Sequence, residues 1–393
     1  MGLNIPKIPG VQLSEKAHGH LLLELRRTVQ QLCGSLSTEF PGSQPVSFTR
    51  HESIPALMEN DYYVCEKSDG IRVLVLIGKI ARSAAASELT PDSVYFVTRR
   101  NEYYEISTAP SQPDTWTIID AELVVDVEDD GRRVQRLLAF DVLAVDGICC
   151  MMQTLPKRLG RLEQQVVKVL NAKRDKQRQE SLQSDMPFEL LMKRFELSYG
   201  AARVMREVVP KLKHASDGLI FTAVDSPYIS GTCIEVIKWK PADENSVDML
   251  ANVVYDDDTH QPIVQLYVWE GFDRYSFYGF LSYTQTEWEE VIWPARGDRV
   301  SINGCIMEVL YQPGYRPPAK WRFMRVRSDK QHANHVSVIT RILQSIDDGL
   351  DFNELEAAMA DVRLNWKQRA EKKNNAFVQK QSVATMPAET SVA

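Results

Sequence analysis

The chain passes from one strand-forming run, Tyr62-Tyr63-Val64-Cys65, to another, Val73-Leu74-Val75-Leu76-Ile77, through Glu66-Lys67-Ser68-Asp69-Gly70-Ile71-Arg72. Both runs read as buried strands, so a lysine, an aspartate and a glycine sit at the bend between them. Burying an ammonium is costly unless it is paired or neutral. A neutral buried lysine is a good nucleophile, which makes Lys67 the first candidate for chemistry. Alone, Lys-x-Asp-Gly is also ordinary turn chemistry before a strand, so other segments must decide.

At 393 residues the chain has room for two or three domains. An apolar fraction of 44% and a charged fraction of 25% are those of an ordinary globular protein. No apolar run approaches membrane-spanning length. The first residues lack a signal-peptide stretch, and Pro6 stands where a myristoylation signal has Ser or Thr; an intracellular protein is expected. Cys33, Cys65, Cys149, Cys150, Cys233 and Cys305 show no zinc-like spacing and read as reduced, mostly buried thiols. The His18/His20 and His332/His335 pairs lack the carboxylate pattern of a metalloenzyme. A formal net charge of -7 means that any nucleic-acid contact must come from local basic patches.

In chain order, Leu21, Leu22, Leu25, Val29 and Leu32 predict a helix over 14–33. Residues 34–60 read as a Gly/Pro/Ser-containing approach. Strands follow at 62–67, 71–79, 94–98, 103–106, 117–127 and 136–143, then helices at 156–180 and 199–213, then strands at 217–222 and 233–239. The 156–180 helix carries Lys157, Arg158, Arg161, Lys168, Lys173, Arg174, Lys176 and Arg178, a solvated face or a docking surface for an acidic partner. After Pro241 short strands at 247–255, 263–269, 274–282, 299–302 and 305–310 alternate with turns, the size of an OB-fold barrel. Helices are expected at 335–347 and 353–366, and a disordered tail at 367–393. The fold class is thus α+β: strands and helices over 1–243, a small barrel over 244–334, and helices over 335–366.

Three basic signatures close strands far apart in sequence: Lys67-x-Asp69-Gly70-x-Arg72, Lys238-Trp239-Lys240, and Trp321-Arg322-Phe323-Met324-Arg325-Val326-Arg327-Ser328-Asp329-Lys330. Cations gathered at strand ends repel one another unless a polyanion lies between them, and a nucleoside triphosphate is the natural candidate. Asp120, Glu122 and Asp217 are interspersed; carboxylates near phosphates hold a divalent cation or a ribose hydroxyl.

The order Lys67-Ser68-Asp69-Gly70, Tyr95-Phe96-Val97-Thr98-Arg99, Asp120-Ala121-Glu122-Leu123-Val124, Asp217-Gly218-Leu219-Ile220-Phe221, Ile237-Lys238-Trp239-Lys240-Pro241 and Arg327-Ser328-Asp329-Lys330 resembles the covalent nucleotidyltransferase superfamily. Within it the chain resembles the guanylyltransferase subunit of fungal-type mRNA capping enzymes, over roughly residues 40–335. The resemblance implies a nucleotidyltransferase domain of antiparallel sheets and helices followed by an OB-fold. It implies that Lys67 forms a phosphoramidate with GMP taken from GTP. It also implies that Arg72 and Arg99 lie near the ribose and phosphates, Glu122 at the ribose or metal, and Asp217 near phosphate and metal. Lys238 and Lys240 fall on the α-phosphate, and Arg322, Arg327, Asp329 and Lys330 orient the pyrophosphate. Phe140 and Ile220 would sandwich the guanine and Lys193 reach its O6; core packing is the rival role for Phe140. Thr98 stands where the family has aspartate, and Ala121 where it has glycine.

The same resemblance implies Mg²⁺ or Mn²⁺, with Glu122 and Asp217 as its ligands, and a barrel that closes for the first step and opens for the second. The implied partners are nascent RNA with a 5′-diphosphate end, the phosphorylated C-terminal domain of RNA polymerase II and a separate RNA triphosphatase, in the nucleus. Two rivals are an ATP-dependent polynucleotide ligase and a non-catalytic phosphopeptide adaptor.

Overall fold

The computed structural model describes residues 6–78, 93–107, 115–179, 186–241, 246–296, 302–312, 321–328, 330–348 and 350–384. The chain divides into two units. One comprises Met1–Ser47, Glu52–Trp239 and Leu355–Ala393; the other comprises Phe48–His51 and Lys240–Glu354.

The strands of the first unit are β1 (Val11–Gln12), β2 (Ser43–Ser47), β3 (Tyr62–Ser68), β4 (Ile71–Ile77), β5 (Ser93–Thr98), β6 (Tyr103–Ser107), β7 (Thr117–Val127), β8 (Arg133–Val145), β9 (Ile148–Cys149), β10 (Glu189–Met192), β11 (Glu196–Leu197), β12 (Ser216–Ala223) and β13 (Gly231–Trp239). They form two sheets, in the order β1-β6-β5-β4-β7-β8-β10 with β9 on β8, and β11-β3-β12-β13-β2. The apolar run of β4 explains the larger sheet. Val73, Val75 and Ile77 point into one core cluster and Leu74 and Leu76 into another, so helices cover both faces. Leu22, Leu25 and Val29 of α1 (Glu15–Cys33) fill one side. Leu155 and Leu159 of α3 (Leu155–Arg161) fill the other. Ser14 caps the start of α1, and Gly34, at φ 59, ends it in the left-handed conformation.

Not every pairing is antiparallel. β10 joins β8 in parallel, as β13 joins β2. The helical stretch after β8 supplies the crossover that a parallel pair needs: α3, a π-helical turn over Leu162–Val167, and α4 (Lys168–Gln179). Its basic run is not one exposed face. Arg158 is buried, donating to both oxygens of Asp141, at 2.8 and 3.0 Å, and to Ser226 O at 2.8 Å. Residues 34–60, expected only as a Gly/Pro/Ser-containing approach, contain β2 and α2 (Arg50–Glu59); Pro55 inside α2 concealed it. The expected 199–213 helix is present as an unbroken helical stretch over 198–211 that changes pitch on either side of α5 (Ala201–Arg203).

The second unit holds a closed barrel of β14 (Ser246–Tyr255), β15 (Pro262–Gly271), β16 (Arg274–Ser282), β17 (Ile306–Tyr311) and β18 (Trp321–Val326), in the order β14-β15-β16-β18-β17. Alternate residues Val247, Met249 and Ala251, with Val264, Leu266 and Val268, fill it. Between β16 and β17 a helical segment opens at α6 (Gln285–Glu287), where Thr284 and Glu287 form a capping box. The expected strand at 299–302 lies almost wholly outside the described residues. The fifth strand is instead β18, which the sequence presents as a basic motif and not as one of the five expected strands. Its exposed Arg322 and Met324 alternate with inward Trp321 and Phe323.

Two helices follow, α7 (Val336–Asp347) and α8 (Phe352–Ala384). The expected disorder from 367 is corrected as far as Ala384. Past the buried Leu355, Met359 and Val362, Arg369 donates to Asp61 Oδ1 at 2.8 Å, to Asn60 O at 3.1 Å and to Met58 O, and Lys373 donates to Asp61 Oδ2 at 3.1 Å. Polar residues here dock the helix rather than solvate it. Residues 385–393 lie outside the described set. No helix among the described residues is long and apolar enough to cross a membrane.

Candidate active site

Lys67 is the penultimate residue of β3. Its neighbour β12 pairs Ser216 with Ser68 but Leu219 with Glu66, so two residues of β12 oppose one of β3. That bulge turns Asp217 toward Lys67, and Lys67 Nζ donates to Asp217 Oδ1 at 2.6 Å. Gly218, at φ 146, takes a conformation that favours glycine. Gly70 is required for a different reason: a Cβ there would lie 2.3 Å from Leu123 O. The glycine lets the turn after Lys67 press onto β7. The side chains of Lys67 and Asp217 are 23% and 22% exposed, so the pair is open to a ligand.

Arg72 lies on β4, opposite Glu122 of β7. It donates through Nε to Asp120 Oδ1 at 2.9 Å and through Nη2 to Oδ2. Tyr228 donates its hydroxyl to the same Oδ2 and accepts from Ser43 N at 3.1 Å; Arg72 Nη1 donates to Ser43 O. The guanidinium lies 5.5 Å from the Phe140 ring centroid and 5.8 Å from that of Phe40. Burial opposes its charge, but the Asp120 carboxylate wins and holds Arg72 well above the usual arginine range.

Arg99, just after β5, is exposed, and its pKa is pulled down by desolvation first and then by the charge of Arg72. Glu122 is half-buried. Desolvation lifts its pKa above the usual value, against the pull of Lys193, Arg99, Arg72 and Lys67. One carboxylate thus sits in the field of four cations. Lys193, directly after β10, is buried; it donates to Glu66 O at 2.8 Å and lies 3.6 Å from the Glu66 carboxylate. Ile220 and Lys238 are half-buried cross-strand partners on β12 and β13.

The first unit therefore gathers Lys67, Arg72, Arg99, Glu122, Lys193 and Asp217, with Phe140 beneath Arg72. Lys240, Arg322, Arg327 and Lys330 belong to the second unit, and Asp329 lies outside the described residues. Arg327 donates to Asp248 Oδ1 at 3.0 Å and reaches Glu308 at 3.4 Å; Arg322 lies 3.8 Å from Glu287. Lys330 is exposed.

The two departures from the family pattern are accommodated. Thr98 Oγ1 donates to Glu102 Oε2 at 3.1 Å and accepts from Arg100 N and Glu102 N, both at 3.3 Å, closing the turn before β6. Ala121 is buried in the core beside a register shift between β7 and β8. Sequence reasoning missed Tyr228, Ser43 and Glu66, and gave Asp120 no partner. Nothing in the spacing of these residues marks them; they matter through pairings made in three dimensions.

Among the described residues no group of three or more His, Cys, Asp and Glu is placed to hold a metal. Asp217 suits a hard cation that keeps most of its ligands as water and phosphate oxygen, as Mg²⁺ does.

The sequence matches the family model for the mRNA capping enzyme catalytic domain over residues 5–242, and that for the mRNA capping enzyme C-terminal domain over residues 244–356. It is 36% identical to the mRNA-capping enzyme subunit alpha of Schizosaccharomyces pombe, covering 86% of this chain and 84% of that protein. It is 33% identical to the same subunit of Yarrowia lipolytica, covering 93% and 92%. Among solved structures, a mycobacterial DNA ligase D complexed with ATP aligns with 74% of this chain and 95% of its own, with a TM-score of 0.39 and 14% identity.

Proposed function

Because the chain belongs to the mRNA capping enzyme family, we propose that it is an mRNA guanylyltransferase that works through a lysyl-GMP intermediate on Lys67. The observation that carries this reading is the 2.6 Å Lys67–Asp217 contact inside the cation cluster. A lysine half-open to solvent, held by one carboxylate and ringed by groups that bind phosphate and ribose, is placed for attack on phosphorus.

In the first step Lys67 gives up its proton, for which Asp217 is the adjacent acceptor. Its Nζ then forms a bond to the α-phosphorus of GTP as the bond to the β-phosphate oxygen breaks and pyrophosphate leaves. Lys238, and Lys240 of the second unit, neutralise charge on the α-phosphate oxygens. Arg72 is held rigidly by Asp120 and Tyr228, so it meets the ribose and phosphates with little further loss of freedom. Phe140 and Ile220 flank the base, and Lys193, with three donors of which Glu66 O takes one, reaches its O6. Arg322, Arg327, Asp329 and Lys330 orient the pyrophosphate; Arg327 trades Asp248 and Glu308 for phosphate. Asp217 and Glu122 would hold a divalent cation, which would supply further charge neutralisation there. In the second step the terminal oxygen of a 5′-diphosphate RNA attacks the same phosphorus, the N–P bond breaks, Lys67 recovers its proton, and a GpppN end is released.

The same reading gives the chain a nuclear site of action and two partners, an RNA triphosphatase subunit and the phosphorylated polymerase tail. Lys157, Lys168, Lys173 and Lys176 are exposed cations of the 155–179 helical stretch and the side chains to vary for tail binding; Arg158 is buried.

The test is incubation with α-phosphate-labelled GTP or ATP and Mg²⁺. Acid-labile, alkali-stable label from GTP, lost in Lys67→Ala, is expected. Label retained by that variant sinks the assignment, label from ATP alone makes the protein a ligase-type enzyme, and no label from either favours the adaptor.

A further inference from the structure

Residues 213–216 carry contacts that the chemistry above does not use. On one side the segment meets the end of β7. Val127 N donates to Lys213 O at 3.0 Å, Lys213 Nζ donates to Glu128 at 2.6 Å, and His214 Nδ1 lies 2.6 Å from Asp126 Oδ1. The other Asp126 oxygen accepts from Arg136. On its opposite side the segment meets the turn that bears Lys67. His214 Nε2 lies 3.1 Å from Ser68 Oγ, Asp69 N donates to Ala215 O at 2.9 Å, and Ser216 Oγ donates to Lys67 O at 2.9 Å. The next residue is Asp217, which holds Lys67 Nζ.

A carboxylate only accepts, so Nδ1–H of His214 donates to Asp126, and in the neutral ring Nε2 accepts from the Ser68 hydroxyl. The order Ser–His–Asp is that of a hydrolytic relay. Here, however, Ser68 is 6% exposed and its oxygen faces the imidazole, so no external substrate can reach it. The arrangement is mechanical: a strut between the larger sheet and the lysine turn. The His214 and Asp126 side chains are 6% and 8% exposed, so water cannot easily replace a lost bond.

We propose that His214, fixed by Asp126 and acting through Ser68, is a positioning residue for Lys67, setting the angle at which Nζ meets the α-phosphorus. The proposal rests on Lys67 being the nucleophile.

The experiment is single-turnover formation of lysyl-nucleotide from labelled GTP by the full chain. Ser68→Ala removes one end of the link. His214→Asn keeps a donor for Asp126 but cannot reach Ser68, and so spares the buried carboxylate. Each variant is expected to lower the saturating rate by about 10- to 100-fold, as misplacement of a reacting group by about an ångström does. The GTP concentration at half-maximal rate should move by less than about 3-fold, because ground-state binding is untouched. The double variant should be no slower than the worse single one, since both cut the same link. Ser68→Thr, which keeps the hydroxyl, should recover the rate to within about 3-fold.

Wild-type rates in Ser68→Ala and His214→Asn would overturn the proposal, as would losses that multiply in the double variant or fall only on GTP binding. A wild-type protein that takes no label overturns the assignment of Lys67 instead, so the two failures are distinguishable.

Discussion

Replacing Tyr228 by Phe removes one oxygen atom from the middle of the buried Arg72–Asp120 cluster. That oxygen donates to Asp120 and accepts from Ser43 N. Asp120 has no exposed surface, so water cannot take the vacated place. A hydrogen bond to a charged group contributes roughly 1.5–3 kcal/mol, and a loss of about 2 kcal/mol at pH 8 is expected. The loss should shrink as the pH rises. Burial first, then the Asp120 charge, lifts the Tyr228 hydroxyl well above its ordinary value of 10.0. Folded Tyr228 therefore keeps a proton that unfolded Tyr228 gives up. Its contribution is complete below pH of about 10 and declines above it. Near pH 11 ionisation of that phenol has stabilised the unfolded chain by about 1.4 kcal/mol, so the deficit of the variant contracts to about 0.6 kcal/mol. Tyr62, Tyr103 and Tyr283, each pushed up to about 12 chiefly by burial, weaken both proteins alike and cancel in the difference. Urea unfolding of both proteins at pH 8, 10 and 11 gives the readout. A deficit that stays constant with pH would refute the reasoning about ionisation, and no deficit at pH 8 would refute the hydrogen bonds.

Three further outcomes are expected. Glu122→Gln removes a carboxylate whose pKa burial raises, so its ionised form costs stability at neutral pH. The variant should resist urea better than wild type at pH 7.5, the advantage should fade as the pH falls and wild-type Glu122 takes up its proton, and the label from GTP should fall. Arg158→Ala strands the buried Asp141 carboxylate, already pushed up by burial, and should cost about 3–5 kcal/mol by chemical denaturation; Asp141→Asn added to it should restore part. Gly70→Ala places a methyl 2.3 Å from Leu123 O, so the turn must lift from β7. A cost of about 1–3 kcal/mol and a sharp loss of labelling are expected; normal labelling would show that the turn has slack.

What the sequence made legible follows physical lines. β3, β4 and β7 were placed within two residues of their ends, because continuous apolar runs bounded by turns admit little else. The basic and acidic motifs announced themselves by residue type and order. Their partnerships did not. Lys67 and Asp217 stand 150 positions apart and meet only because β3 pairs with β12 through a bulge. Tyr228 looked like any aromatic residue in a Ser/Pro/Gly loop, and its role depends on Ser43, on a strand within the stretch expected only as an approach. β18 was missed because Arg322 and Arg325 break up its apolar residues and further cations follow at Arg327 and Lys330, so a barrel wall looked like a ligand motif. α8 outran its expected end because Arg369 and Lys373 read as solvated residues until Asp61 is seen beside them.

The identity of β18 bears on how its residues can be studied. Arg322 and Arg325 are staves of the barrel, and Arg327 lies one residue beyond the strand, its backbone N still donating to Ile306 O at 2.8 Å. A chain cut before Trp321 would lose the strand that joins β16 to β17. It would leave two bare edges, with the interior that Trp321 seals opened to water. Deleting the segment would therefore destroy a fold while seeming to report on a reaction. Only substitution one side chain at a time separates what these cations hold up from what they act on.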